Sequence, residues 1–204
     1  LKRGEIVRVW NRSHAKALAL EAEGARAFED PVEAVRGEKR IHLTLSDDRA
    51  VDEVLERLSP GLAADAVIVD HTTTSTSGAL ARVSRWAERG ITYLHAPVFM
   101  GPQNAREATG LMLVSVDQAI VERMRSVLEP MTGTLWYVGP RTDGAAAFKL
   151  LGNLFLMFVN TGLADMLALA RATHIAPGDA ITLFQKFNPG AQASTRMQRM
   201  IDAK

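Results

Sequence analysis

One pattern narrows what this chain can fold into more than any other. Over roughly the first 139 residues, short apolar runs alternate with amphipathic stretches, and beyond that point the alternation stops. The short runs predict strands over Ile6 to Trp10, Arg40 to Leu45, Ala66 to Val69, Ile91 to Leu94, Leu111 to Ser115 and Leu135 to Val138. Between them, apolar residues at helical spacing predict helices over Ser13 to Glu23, Pro31 to Val35, Ala50 to Leu58, Ser77 to Arg89 and Asp117 to Leu128. Ser13, Asp47 and Asp117 stand where helix N-caps belong, and Gly24 and Gly90 where helices end. Strand and helix in alternation imply an α/β domain, a doubly wound and mostly parallel sheet of Rossmann type covered by helices.

From about Asp143 the pattern reads as helix only: one long helix to about Ala172, a segment with Pro177 in a first turn, and a last helix from about Ala191. The expected domains are therefore 1–139, the sheet, and 140–204, an all-helical part entered through the long helix. Lys2, Arg3 and Gly4 read as a helix end ahead of the first strand. With no initial methionine and no signal-peptide pattern, the expectation is that a further N-terminal segment precedes Leu1.

Composition removes several function classes. The balance of 24 basic and 23 acidic residues, net charge +1, gives no footprint for nucleic acid or an anionic membrane. Zero cysteines rule out disulfides, thiolate metal sites and cysteine nucleophiles within these residues. Lys149, Asn153, Asn160 and Asp165 interrupt the apolar run 148–169, and a soluble, cytoplasmic protein is the expectation. His14, His42, His71, His95 and His174 show no spacing that completes a metal site, so no metal is expected.

In such sheets, ligands bind outside the carboxyl ends of the strands. The first visible strand ends in Asn11, Arg12 and Ser13. An acid at this position suits a free ribose 2′-hydroxyl, whereas the fork of Arg12 suits a 2′-phosphate, which points to NADP rather than NAD. The bland alternative is a turn and helix cap with a solvated arginine. "LSDD" (45–48) and "DHTTTSTSG" (70–78) end the next strands and supply hydroxyls and backbone N–H groups. No G-x-G-x-x-G turn occurs among these residues.

Taken in order, "VWNRS", "LSDD", "DHTTTSTSG", "HAPVFMGPQNAREATG" and "GAAAFKLLGN" resemble the β-hydroxyacid dehydrogenases, the group that includes 3-hydroxyisobutyrate dehydrogenase, tartronate semialdehyde reductase and, more distantly, 6-phosphogluconate dehydrogenase. The resemblance covers nearly the whole chain. It implies an NAD(P) domain followed by a helical domain, a homodimer or higher homo-oligomer, and a chain that continues past Lys204. It also assigns roles: Lys149 as catalytic acid/base; Asn153, Phe99, Met100, Gly101 and Thr72 toward a small carbonyl or hydroxy substrate; Asn11, Arg12, Ser13, Leu45, Ser46 and Thr73 toward the cofactor.

Lys149 and Asn153 are four positions apart, so a helix puts both on one face. Burial in an apolar segment lowers a lysine pKa toward the range useful to a general acid; the bland alternative is a lysine snorkelling from a helix edge. After Ala96, Pro97 and Val98 the family usually reads Ser-Gly-Gly, employed on a substrate carboxylate, while this chain has Phe99, Met100 and Gly101. The change points to a larger or more apolar substrate. Imine reductases share the architecture but usually lack the lysine, and an inactive cofactor-binding scaffold is the other alternative.

Overall fold

The computed structural model describes Leu1 and residues 4–203; the helix end expected at Lys2 and Arg3 lies outside the described residues. The chain forms two compact units, Leu1–Gly152 and Asn153–Lys204.

In the first unit, β1 (Arg8–Trp10) pairs in parallel with β2 (Arg26–Phe28). A second ladder joins β3 (Arg40–Leu43), β4 (Val67–Asp70) and β5 (Thr92–His95), all parallel. A third joins β6 (Val98–Phe99), antiparallel to β7 (Leu111–Val114), with β8 (Thr134–Tyr137) parallel on the far side. The chain crosses from the second ladder to the third at Ala96 and Pro97. Ala96 N–H still donates to the Asp70 carbonyl at 2.7 Å, and Leu113 N–H donates to the Pro97 carbonyl at 2.9 Å.

The alternation of side chains along each strand builds two cores, one on each face. Ile68 of β4 and Tyr93 of β5 join Val51, Leu55 and Leu58 of α3 (Asp48–Leu58) and Trp86 of α4 (Thr76–Glu88). Their neighbours Val69 and Leu94 point the other way, to Val121, Met124 and Leu128 of α6 (Gln118–Leu128). Each helix contributes residues three or four apart, the stripe that its sequence predicts.

Three elements escape the sequence pattern, and each has a reason. β2 and β6 are only three and two residues long, too short to show a period. The helix Pro102–Glu107 has no buried residue, so it carries no apolar stripe to detect. The helix expected over Ser13 to Glu23 is shorter, covering His14–Leu18 with a 3₁₀ turn at Glu21–Glu23, and Ser13 makes no side-chain cap. Asp47 and Asp117 do cap, accepting from Ala50 and Ala119 N–H at 2.9 and 2.8 Å. Ile6 stays 88% exposed, and β1 begins only at Arg8.

The long helix, Gly144–Ala172, opens in the first unit and continues into the second. By length and composition it passes for a membrane span, a test that core helices of soluble proteins also pass. The second unit adds helices Pro177–Ala180, Leu183–Lys186 and Ala193–Asp202. Pro177 opens the first of these, where its missing N–H has no helical partner to lose.

Candidate active site

Four loops follow the carboxyl ends of β1, β3, β4 and β5. At β1, the Asn11 side chain accepts from Ser13 N–H at 2.9 Å, a local turn that leaves Asn11, Arg12 and Ser13 exposed. This set of polar groups, a guanidinium, an amide and a hydroxyl, fits the ribose end of a dinucleotide.

The loops after β3 and β4 are tied to each other. Thr72, buried, accepts from Leu45 N–H through its hydroxyl oxygen at 3.0 Å, while the Asp48 carboxylate accepts from Ser75 N–H at 2.9 Å. Asp48 also meets Arg82 at 2.5 Å; that arginine, 1% exposed, donates in turn to the Tyr93 hydroxyl at 3.1 Å. Tyr93 donates to Asp70, which receives Thr72 N–H on its other oxygen. Burial works against the Asp48 carboxylate and the Arg82 guanidinium, but their hydrogen bonds outweigh it and hold both in the charged state. Burial and the neighbouring Asp70 charge push the Tyr93 phenol up, so it stays protonated as a donor. Ser46 donates to Asp47 at 2.9 Å, and Thr73 lies half-buried in the turn between the two anchored threonines Thr72 and Thr74.

Three histidines stand at the same edge. His71 Nδ1 faces the Ala96 carbonyl at 2.8 Å, which requires an N–H there; its Nε2 then accepts from His42 Nδ1 at 3.1 Å, with the rings stacked 15° apart. Desolvation where it packs on its neighbours, then His71 and Arg40 beside it, pushes His42 down to about 4, although part of its side chain still meets solvent. His71 and His95 are lowered chiefly by burial as well. His95 Nε2 sits 2.9 Å from the Thr72 carbonyl and turns its buried Nδ1 to no hydrogen-bond partner among the described residues.

Lys149 arrives from the third ladder. Ser115, directly after β7, donates to the Thr142 carbonyl at 3.2 Å and accepts from Ala145 N–H at 2.7 Å, so the strand end pins the first turn of the long helix. One turn later Lys149 is 8% exposed, and burial lowers its pKa. Its Nζ lies 3.8 Å from the centroid of the Phe99 ring. Met100 packs against the second core, and exposed Gly101 donates its N–H to the Asn104 side chain at 2.9 Å. Asn153 follows Lys149 by one helical turn and is the first residue of the second unit.

The structure thus joins Leu45 to Thr72 and Lys149 to Phe99, while the turn at Asn11 to Ser13 is held by its own hydrogen bond. Sequence reasoning missed Gly152. A Cβ there would collide with the Phe99 ring, and the signal available was a glycine in a helix interior, costing roughly 1 kcal/mol against alanine.

The parallel strands, helices on both faces and loops gathered at the strand ends define a Rossmann-type nucleotide-binding domain. Residues 1–139 match the family described as the NAD binding domain of 6-phosphogluconate dehydrogenase. The chain is 30% identical over 182 residues to 2-(hydroxymethyl)glutarate dehydrogenase of Eubacterium barkeri, covering 87% of this chain and 60% of that protein. It is 29% identical over 171 residues to a probable 3-hydroxyisobutyrate dehydrogenase of Mycobacterium tuberculosis, covering 82% and 56%. Among solved structures, the imine reductase of Streptomyces aurantiacus superposes with a TM-score of 0.88 at 28% identity, over 99% of this chain and 71% of that one. The chain belongs to the β-hydroxyacid dehydrogenase family, a family of NAD(P)-dependent dehydrogenases. It spans about 60% of the length of the first of these relatives.

Proposed function

We propose that the chain serves an NADP-dependent oxidoreductase that moves a hydride between the cofactor and a carbonyl or alcohol carbon, with Lys149 as general acid and base. The observation that carries this reading is a lysine, 8% exposed, in an apolar helix, its pKa lowered by burial, beside the Phe99 ring that follows β5 in a dinucleotide fold. NADPH, when bound, supplies the hydride for reduction. As carbonyl carbon accepts hydride, Lys149 Nζ gives a proton to the oxygen, and solvent reprotonates the amine; in oxidation the neutral amine takes the hydroxyl proton. Asn153, Thr72 and the loop Phe99, Met100 and Gly101 orient the substrate. Arg12, with Asn11 and Ser13, holds the 2′-phosphate end, and Leu45, Ser46 and Thr73 line the cofactor further in. In this reading the domain 1–139 holds the cofactor and contributes Thr72 and the loop at Phe99 to the substrate, while the domain 140–204 brings Lys149 and Asn153. Cytoplasmic work as a homo-oligomer belongs to the same proposal.

Imine reduction is the second reading, favoured by the aromatic ring at position 99. An inactive scaffold is the third, and the presence of Lys149 speaks against it. The test is steady-state oxidation of NADPH by the full-length protein and by Lys149→Ala. The variant is expected to retain cofactor binding and lose about 100-fold or more in turnover. Because the acid form drives reduction, the wild-type rate of reduction should fall as pH rises through the lowered lysine pKa, while alcohol oxidation rises over the same interval. Unchanged turnover in Lys149→Ala would sink the assignment.

A further inference from the structure

We infer that Phe99 and Gly152 together determine substrate specificity, selecting a carbonyl compound that carries a flat, apolar or aromatic group beside the reacting carbon and rejecting one that carries a carboxylate there. This rests on Lys149 as the acid/base group. Three observations lead to it.

The Phe99 ring lies over the lysine, 3.8 Å from Nζ to the ring centroid, so the immediate neighbour of the reacting ammonium is an aromatic face. Such a face attracts a cation without supplying a counter-ion, and leaves the space beside the lysine apolar. Phe99 is half-buried.

The second observation is the seat of the ring. Gly152 stands less than one turn beyond Lys149, and any Cβ there would collide with the Phe99 ring, with Cε1 only 2.8 Å away. Gly152 does not have a positive φ, so what a side chain there would disturb is the ring, which would have to shift from its present seat.

The third concerns anion donors. A carboxylate bound by the loop needs a backbone N–H or a hydroxyl. Gly101 N–H is already given to the Asn104 side-chain oxygen at 2.9 Å, and Asn104 is fixed by donating to the Thr109 hydroxyl at 3.0 Å. Phe99 and Met100 bring no polar side-chain group apart from the methionine sulfur. The one glycine N–H of the loop is thus engaged within it, and its two preceding side chains present hydrocarbon.

The experiment measures kcat/KM with NADPH for a panel of aryl aldehydes and alkyl aryl ketones and for a size-matched panel of aldehydes carrying a carboxylate. Wild-type protein, Phe99→Ser, Gly152→Ala and Lys149→Ala are compared, with cofactor binding checked by fluorescence. The aryl panel is expected to lead by about tenfold or more in the wild type, the order of discrimination that apolar pocket contacts give. Phe99→Ser should move the ratio toward the carboxylates by about tenfold, and Gly152→Ala should raise KM for the aryl panel with NADPH affinity unchanged. A wild-type preference for carboxylates, or a ratio that neither variant moves, overturns the inference. If Lys149→Ala remains active, the acid/base reading has failed; if it is inactive while the ratio stays fixed in the other variants, only the specificity assignment has.

Discussion

Arg12 and Lys149 illustrate how far single residues can be read. Lys149 stood out as one ammonium in a run of apolar residues, a snorkelling lysine by its spacing alone and an acid/base group only by the family resemblance, and the fold places it buried. Arg12 stood out by position, at the end of a strand, and the turn closed by Asn11 leaves its guanidinium exposed. If it holds a 2′-phosphate, Arg12→Ala should weaken NADPH by about 10- to 100-fold, the scale of one charge-assisted hydrogen-bond pair, and barely alter NADH. Fluorescence titration of both cofactors decides this, and equal losses would remove Arg12 from the phosphate. The contacts of Gly152, His42 and His71 could not be read this way, because each meets a residue at least 29 or more than 50 positions distant. A one-dimensional pattern carries no sign of such meetings.

Helices and strands were legible wherever burial imposed a period. Short or solvent-facing elements were not, as β2, β6 and Pro102–Glu107 show. What joins the elements was also hidden. Asp48 opens α3 and binds Arg82 of α4, so two helices and the loop after β4 share one polar cluster. Removing one partner leaves a guanidinium that is 1% exposed without its closest carboxylate. Water reaches Asp48, whose side chain is 38% exposed, so Asp48→Ala should cost about 1–3 kcal/mol, below the 3–5 of a fully buried pair. Thermal or urea unfolding measures this. Adding Arg82→Leu should recover part of the loss, since the stranded charge goes with it; strictly additive losses would show that the two side chains act independently.

For the molecule as a whole, the α/β alternation and the switch to helix were readable from apolar spacing alone. The purpose of the long helix was less so, because its apolar residues run around much of its circumference. Leu154, Met157 and Phe158 are 51, 67 and 67% exposed, more apolar surface than a solitary helix face ordinarily presents to water. The homo-oligomer put forward with the proposed function would cover this surface. Light scattering on the eluting protein should give at least a dimer, and Phe158→Glu should shift it toward monomer; a monomeric wild type would refute the assembly. The contact between Phe99 and Gly152 has a consequence on another timescale. A side chain at position 152 and the ring at position 99 compete for the same space, so enlarging one displaces the other. Across the lineage the two positions should therefore change as a couple, with an aromatic at one accompanied by glycine at the other.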